Sequence, residues 1–272
     1  MSGYLKYLFV ITFTLTISQF THADNLSLRM IDTKEGTSKF YHELLSAALA
    51  SNGHALEIIN IGDRPQKRTV AMFENGQLDI IWLLKSAARS KKYIDVDVNL
   101  TSGLMGQRIL FIPPDTQADY VEVKTLDNFR RLGKIAAFGA NWFDEKVWQT
   151  NNLPYYIVDG EWRSIFKRLL INDPTKSRTP FHYFSRSVTE ITIEAKHYPQ
   201  LIIEQNLLFQ YDRDFHFYLN TKSAYLKPII EDALKKAEKS GLLKQLIDKH
   251  FSTQLRSLNL NKRILISLHT PE

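Results

Sequence analysis

The stretch from Gly76 to Pro114, GQLDIIWLLKSAARSKKYIDVDVNLTSGLMGQRILFIPP, constrains the fold more than any other part of the chain. Gly76 stands where a helix end calls for a residue that tolerates positive φ. Leu78–Leu84 then runs almost unbroken through apolar residues. That is the pattern of a strand covered on both faces, and parallel sheets produce it. A polar, basic turn carrying Arg89 follows. Arg108–Ile112 reads as a further strand, and Pro113-Pro114 closes it, because proline cannot donate to a ladder. Parallel strands need crossover connections, so helices are expected on either side of this run.

The chain before it supplies them. Leu26–Ile31 reads as a strand. Thr37–Asn52 reads as a helix, with Phe40, Leu44, Ala47 and Ala48 on one face and Gly53 at its stop. Leu56–Ile61 is a second strand. Asp63 is placed to cap the next helix, with Pro65 in its first turn. Strand–helix alternation of this kind predicts an α/β sheet. The pattern restarts after Pro114. Thr125 caps a short helix to Leu132, Lys134–Phe138 is a strand, and Gly139-Ala140-Asn141 opens a helix with Trp142, Val147 and Trp148. Tyr155–Val158 is a strand and Glu161–Leu170 a helix. Asn172–Thr179 is polar and reads as a surface loop. Leu201–Gln210 and Phe215–Leu219 read as strands, followed by an amphipathic helix over Ser223–Ser240, Gly241 as a break, and a helix over Leu242–Phe251. Ile264–Leu268 is one more strand candidate.

The first 23 residues read as a cleaved secretory signal. Lys6 is their one charge, Leu8–Ile17 is an apolar run too short to span a bilayer, and Thr21-His22-Ala23 offers a small-x-small cleavage site. No cysteine follows, so a lipoprotein anchor is not expected, and the chain has no cysteine at all. The net charge is +6, or +5 once Lys6 has left. The basic residues are dispersed, with Arg89, Lys91 and Lys92 as the densest early group and Lys235, Lys236 and Lys239 on a late helix. Without an arginine-rich tail or an aromatic–basic repeat, nucleic acid is not an expected partner.

Taken together, the helix end with Gly76 and Asp79 (a G-x-x-D pattern), the strand, the arginine loop and the crossing strand resemble the first lobe of bacterial periplasmic solute-binding proteins. The closing pair SAYLKPIIEDALKKAEKSGLLKQLIDKHF is similar to the helix pair that ends the amino-acid-type family 3. The segment Tyr183–Ile191, YFSRSVTEI, is similar to one in an uncharacterised subgroup of periplasmic binding-like proteins. The resemblance implies an α/β, two-lobed type II periplasmic-binding fold. Each lobe would be a mixed, mostly parallel sheet flanked by helices, and two hinge strands would join them. The first lobe would be discontinuous, 24–112 with 211–272, and the second would be 113–210.

The same resemblance implies the site. Arg89 takes the place of the arginine that pairs with a ligand α-carboxylate in amino-acid-binding members, a task suited to the guanidinium fork; a solvated loop cation is the other reading. Where relatives carry Gly-Thr at a helix N-terminus, this chain has Gly139-Ala140-Asn141-Trp142. Asn141 is then a polar contact or merely a helix cap, and Trp142 an apolar wall. Glu190 would face a ligand ammonium, or pair with Arg186 four residues earlier. Trp82 would reach the cleft or stay in the core, and Asp32 follows the first strand at a cleft position.

Enzyme motifs fail. There is no G-x-G-x-x-G or phosphate loop, His42-Glu43 is not completed to H-E-x-x-H because position 46 is Ser, and no G-x-S-x-G elbow exists. The expectation is a monomeric, non-enzymatic periplasmic protein without cofactor or metal, not membrane-spanning once its signal is removed. It would hold a small amino-acid-like or carboxylate-bearing ligand between lobes and deliver it to an inner-membrane ABC permease. A sensor without a permease and a dehydratase-like enzyme are the alternatives.

Overall fold

The computed structural model describes residues 25–171 and 180–272. The signal segment and the polar loop expected at 172–179 lie outside the described residues. The chain begins with β1 (Asn25–Met30), α1 (Lys39–Ser51), β2 (Ala55–Asn60), α2 (Gln66–Glu74), β3 (Ile80–Leu84), α3 (Ala87–Lys92) and β4 (Ile94–Val96). A crossing strand, β5 (Gln107–Ile112), leads to α4 (Leu126–Arg131), β6 (Ala136–Gly139), α5 (Asp144–Thr150), β7 (Tyr155–Val158), α6 (Ser164–Leu170), β8 (Tyr183–Ser187), α7 (Ile191–Ala195) and β9 (Ile202–Ile203). β10 (Leu207–Gln210) crosses back to β11 (Phe215–Leu219), α8 (Lys227–Ser240) and α9 (Leu242–Ser257), and β12 (Ile264–Ser267) ends the fold.

In the first lobe β1 and β2 pair in parallel, while β11 lies antiparallel between β3 and β4. Asp79 joins the two groups. Its N–H donates to the Arg29 carbonyl at 3.0 Å, and its carboxylate accepts from the Arg29 backbone at 2.8 Å. The side chains of β3 divide between two faces, as the two-residue period of a strand requires. Ile80 joins the core beneath α1, α8 and α9, whereas Ile81 and Leu83 join a smaller cluster with Phe73 and Leu78.

The second-lobe sheet runs β12-β10-β5-β8-β6-β7, with β9 also on β5. The crossing strands make its antiparallel pairs, and β6 lies parallel to both β7 and β8. Its two faces carry separate cores, one around Phe129, Trp148 and Phe209, the other around Phe111, Phe166 and Phe184.

Three sequence expectations are corrected here. Gln107–Ile112 was placed with the first lobe, but Arg108–Phe111 pair with β8 and so belong to the second-lobe sheet. The block 211–272 was placed wholly in the first lobe, but β12 pairs in parallel with β10, and Ile266 and Leu268 are buried in the second-lobe core. The alternating apolar residues of the tail cover an edge of β10 that would otherwise be open. The strand expected over Leu201–Gln210 is broken at Glu204, whose carboxylate accepts from the N–H groups of Asn206 and Leu207 at 2.7 Å each. Among the described residues no helix is long and apolar enough to cross a membrane.

Candidate functional site

The strands point their C-terminal ends toward the space between the lobes, which is where open α/β sheets place ligand sites. From the first lobe, Thr33 and Glu35 follow β1, Asp63 and Arg64 follow β2, and Arg89 follows β3. From the second lobe, Trp142 and Asp144 follow β6, Trp162 and Arg163 follow β7, and Arg186 and Glu190 stand at the end of β8. They enclose a cavity of about 130 Å³. That is small beside the roughly 300–1,000 Å³ of drug-sized ligand pockets.

Apolar and charged residues share the lining, and the charges are grouped. Arg163 reaches across the cleft. Its Nε and Nη2 donate to Glu35 at 2.5 and 2.7 Å, and Nη2 lies 2.6 Å from Asp63. Burial opposes the charge on Arg163, but Glu35 and Asp63 outweigh it and hold the guanidinium above its ordinary value. Glu35 ends below the usual carboxylate value, the pull of Arg163 exceeding the effect of burial. Asp63 ends above it, because burial and the neighbouring Glu35 and Glu161 exceed the pull of Arg163. Arg108 and Asp144 form a second pair at 2.7 Å, both nearly inaccessible to solvent. Arg186 forms the third group, with Glu190 at 3.0 Å and Glu194 at 2.5 Å.

Arg89 differs. Its Nη1 donates to the Leu84 carbonyl at 2.6 Å and its Nη2 to the Asn141 carbonyl at 3.1 Å. No carboxylate pairs with it among the described residues. Burial pulls its guanidinium down from the ordinary arginine value. The turn that holds it is the short helix α3, capped by Ser86, whose Oγ accepts from the Arg89 N–H at 3.3 Å. Sequence reading took this segment for a plain polar turn.

Of the residues expected at the site, Trp82, Arg89, Trp142, Arg186 and Glu190 line the cavity. Trp82 does so with one face against Tyr41, ring centroids 4.7 Å apart. Asp32 does not line it. Its carboxylate accepts from Ser38 and from Asn60 Nδ2, which ties the loop after β1 to the end of β2. The Asn141 side chain is also absent from the lining, and Asn141 caps no helix. It takes φ +69°, and α5 starts only at Asp144. Its carbonyl serves instead, accepting from Gln66 Nε2 at 2.7 Å as well as from Arg89, and both donors come from the other lobe. Arg186 and Glu190 pair, one of the two readings open for Glu190, but not within a helix, since Arg186 is on a strand and Glu190 precedes α7.

Glu35, Asp63, Trp162, Arg163 and the Arg108–Asp144 pair were not anticipated. Asp63 was read as a helix cap, but α2 starts at Gln66 behind Pro65, and Asp63 faces Arg163. The signal that would have found most of them is position, since each but Arg108 stands in the connection just beyond a strand end or at the helix start that follows it. Gly139 has a part too. A Cβ there would stand 2.7 Å from Trp142 Nε1 and 3.1 Å from Trp162 Cβ, so glycine is what lets the two indoles close over the strand.

Away from the cavity, Asp95, Asp97 and His216 have metal-ligand chemistry. Their atoms are already engaged. His216 Nδ1 lies 2.8 Å from Asp95 and Nε2 lies 3.0 Å from Asn99, and Lys85 occupies Asp97 at 2.5 Å.

A discontinuous first lobe, a second lobe with its own sheet, two crossing strands and a cavity between strand ends define the type II periplasmic-binding fold. Solved structures agree. An amino acid ABC transporter substrate-binding protein from Streptococcus pneumoniae bound to L-arginine superposes with TM-score 0.59 at 14% identity, covering 85% of this chain and 96% of that one. An ancestral arginine-binding protein bound to glutamine gives 0.58 at 12% identity, covering 83% and 97%. An ancestral amino-acid-binding protein described as a precursor of cyclohexadienyl dehydratase gives 0.56 at 14%, covering 84% and 95%. No family model and no curated protein matches the chain. The chain has the fold of the amino-acid ABC transporter substrate-binding proteins.

Proposed function

We propose that this protein is a solute-binding protein that captures a small carboxylate-bearing, amino-acid-like molecule between its lobes and presents it to an ABC permease. The observation that carries the reading is Arg89, a guanidinium in an inter-lobe cavity that pairs with no carboxylate among the described residues. Its fork is suited to a ligand carboxylate. Solved proteins of this fold hold arginine or glutamine, which share an α-carboxylate and an α-ammonium. The small cavity suits a molecule of that size. Binding rather than turnover is favoured because each carboxylate named in the cavity, Glu35, Asp63, Asp144, Glu190 and Glu194, already meets a guanidinium. None is left free to act as a general base. With a cleaved signal, the site of action would be the periplasm and the working form a monomer.

Closure is the working motion in this reading, and ligand binding shifts the population toward the closed form. The test is thermal unfolding of the mature protein against amino acids and small carboxylates. A ligand at 100 times its Kd adds about 2.7 kcal/mol. The expected result is a melting shift with a carboxylate-bearing compound that Arg89→Ala abolishes. A shift that survives Arg89→Ala removes Arg89 from the site, and a folded protein that responds to no such compound refutes the ligand class.

A further inference from the structure

The second-lobe half of the cavity contains a slot with the chemistry of a cation receptor. Trp142, Trp162 and Phe184 surround one point, and Glu190 and Glu194 add two carboxylates. Aromatic faces with an acid beside them are what a guanidinium or an ammonium seeks. The slot is filled by the chain itself. The Arg186 Cζ lies 4.9, 5.0 and 5.2 Å from the centroids of Trp142, Trp162 and Phe184. Its Nε donates to Glu194 Oε2 at 2.8 Å and its Nη2 to Oε1 at 2.5 Å, a two-pronged grip. Arg186 is 5% exposed and Glu194 1%.

We propose that Arg186 is a built-in occupant of this slot and that it sets the class of ligand: the cleft takes a compact molecule with two acidic groups, such as an acidic amino acid or a short dicarboxylate, and turns away ligands with a guanidinium or amine side chain. The proposal rests on the solute-binding reading above and narrows it. A tethered, oriented guanidinium has no ordering cost to meet, whereas a diffusing one must displace it and leave it buried without a partner. The rest of the lining agrees. Among the described residues of the lining, the guanidiniums without a carboxylate are Arg89 and Arg64, whose Nη1 donates to the Asp63 carbonyl at 2.6 Å. Each of the five carboxylates has a guanidinium. The charge left for a ligand to satisfy is therefore positive at two points and negative at none.

Two measurements test this. In calorimetric titration of the wild type, L-glutamate, L-aspartate and succinate as a group should contain a binder at least a hundredfold tighter than L-arginine, L-lysine or agmatine. Arginine binding within tenfold of the best acidic ligand overturns the proposal. The second measurement does not need the transported ligand. Arg186→Ala empties the slot, so methylguanidinium at millimolar concentration should raise its melting temperature by several degrees and change its tryptophan fluorescence, with no effect on the wild type. If Arg186→Ala does not fold, Arg186→Ala with Glu194→Gln removes the fully buried unpaired carboxylate, keeps Glu190 and the aromatic faces to receive methylguanidinium, and takes its place. Equal indifference of wild type and variant to methylguanidinium refutes the slot. Rescue without any acidic ligand upholds the slot and counts against the solute-binding reading alone.

Discussion

Asp79 shows how much one side chain can organise. Its carboxylate accepts from Arg29 N, Nε and Nη2 at 2.8, 2.9 and 2.7 Å and from Ser223 Oγ at 3.2 Å, and its own N–H returns a bond to β1. Burial raises the Asp79 carboxyl, but the bonds from Arg29 outweigh it and leave the group below the ordinary aspartate value. A depressed carboxyl contributes stability that is present above its unfolded pKa of about 3.9 and is lost as pH falls through the lower folded value. Asp79→Asn is expected to cost about 1–3 kcal/mol at pH 7, with the gap to wild type shrinking toward pH 3. Chemical denaturation at both pH values checks this, and a gap of constant size contradicts it. Asp79 was legible in the sequence as the end of a recognisable helix-to-strand turn. Arg29 as its partner was not, because nothing local in β1 marks which of its residues will meet the head of β3.

At the scale of elements, the crossings at the junction between lobes lie in close backbone contact. A Cβ on Gly106 would stand 2.1 Å from the Tyr211 carbonyl oxygen and 2.8 Å from that of Arg213. The two crossings touch through backbone, and the Tyr211 N–H donates to the Gly106 carbonyl at 3.1 Å. Asp214 secures the same place. It accepts from the N–H groups of Thr101, Gly103 and Phe215 and from the Thr101 hydroxyl, all within 2.6–3.0 Å. Gly106→Ala must push the crossings apart and should cost roughly 1–3 kcal/mol as overpacking. A melt indistinguishable from wild type would show that the crossings have more room than their geometry indicates. Elements governed by neighbours in sequence were legible. Thr125 caps the short helix as expected, and the structure adds Asn128, whose side chain accepts in return from the Thr125 N–H. Elements governed by distant partners were not. Asp63 has the composition of a cap, yet Arg163 claims it from the other lobe. The tail strand was visible as an apolar run, but its partner β10 could not be read from it.

The whole molecule is held shut by few groups. Arg163 binds Glu35 and Asp63 across the cleft with all three side chains only 8–12% exposed. Lys67 and Asp159 add an exposed pair at 3.0 Å, a contact of small value in water. Arg163→Ala would leave two carboxylates facing each other without a cation. Removing one partner of a buried pair costs about 3–5 kcal/mol, enough to move an open–closed ratio by roughly two to four powers of ten. The expected outcome is a larger radius of gyration by small-angle scattering for Arg163→Ala than for wild type. Equal radii would mean that other contacts set the closed state.

The discontinuity of the first lobe also orders events in time. Leu84 pairs with Phe215, and of the three helices packed in the core with β1 and β3, only α1 is near in sequence, while α8 and α9 lie at the far end of the chain. Contacts that span so much sequence form late and slow folding. A chain lengthening residue by residue carries β3 without its neighbour while the strands between β6 and β8 are already beside one another. Both lobes wait for the end of the chain, the first for β11, α8 and α9 and the second for the tail strand β12.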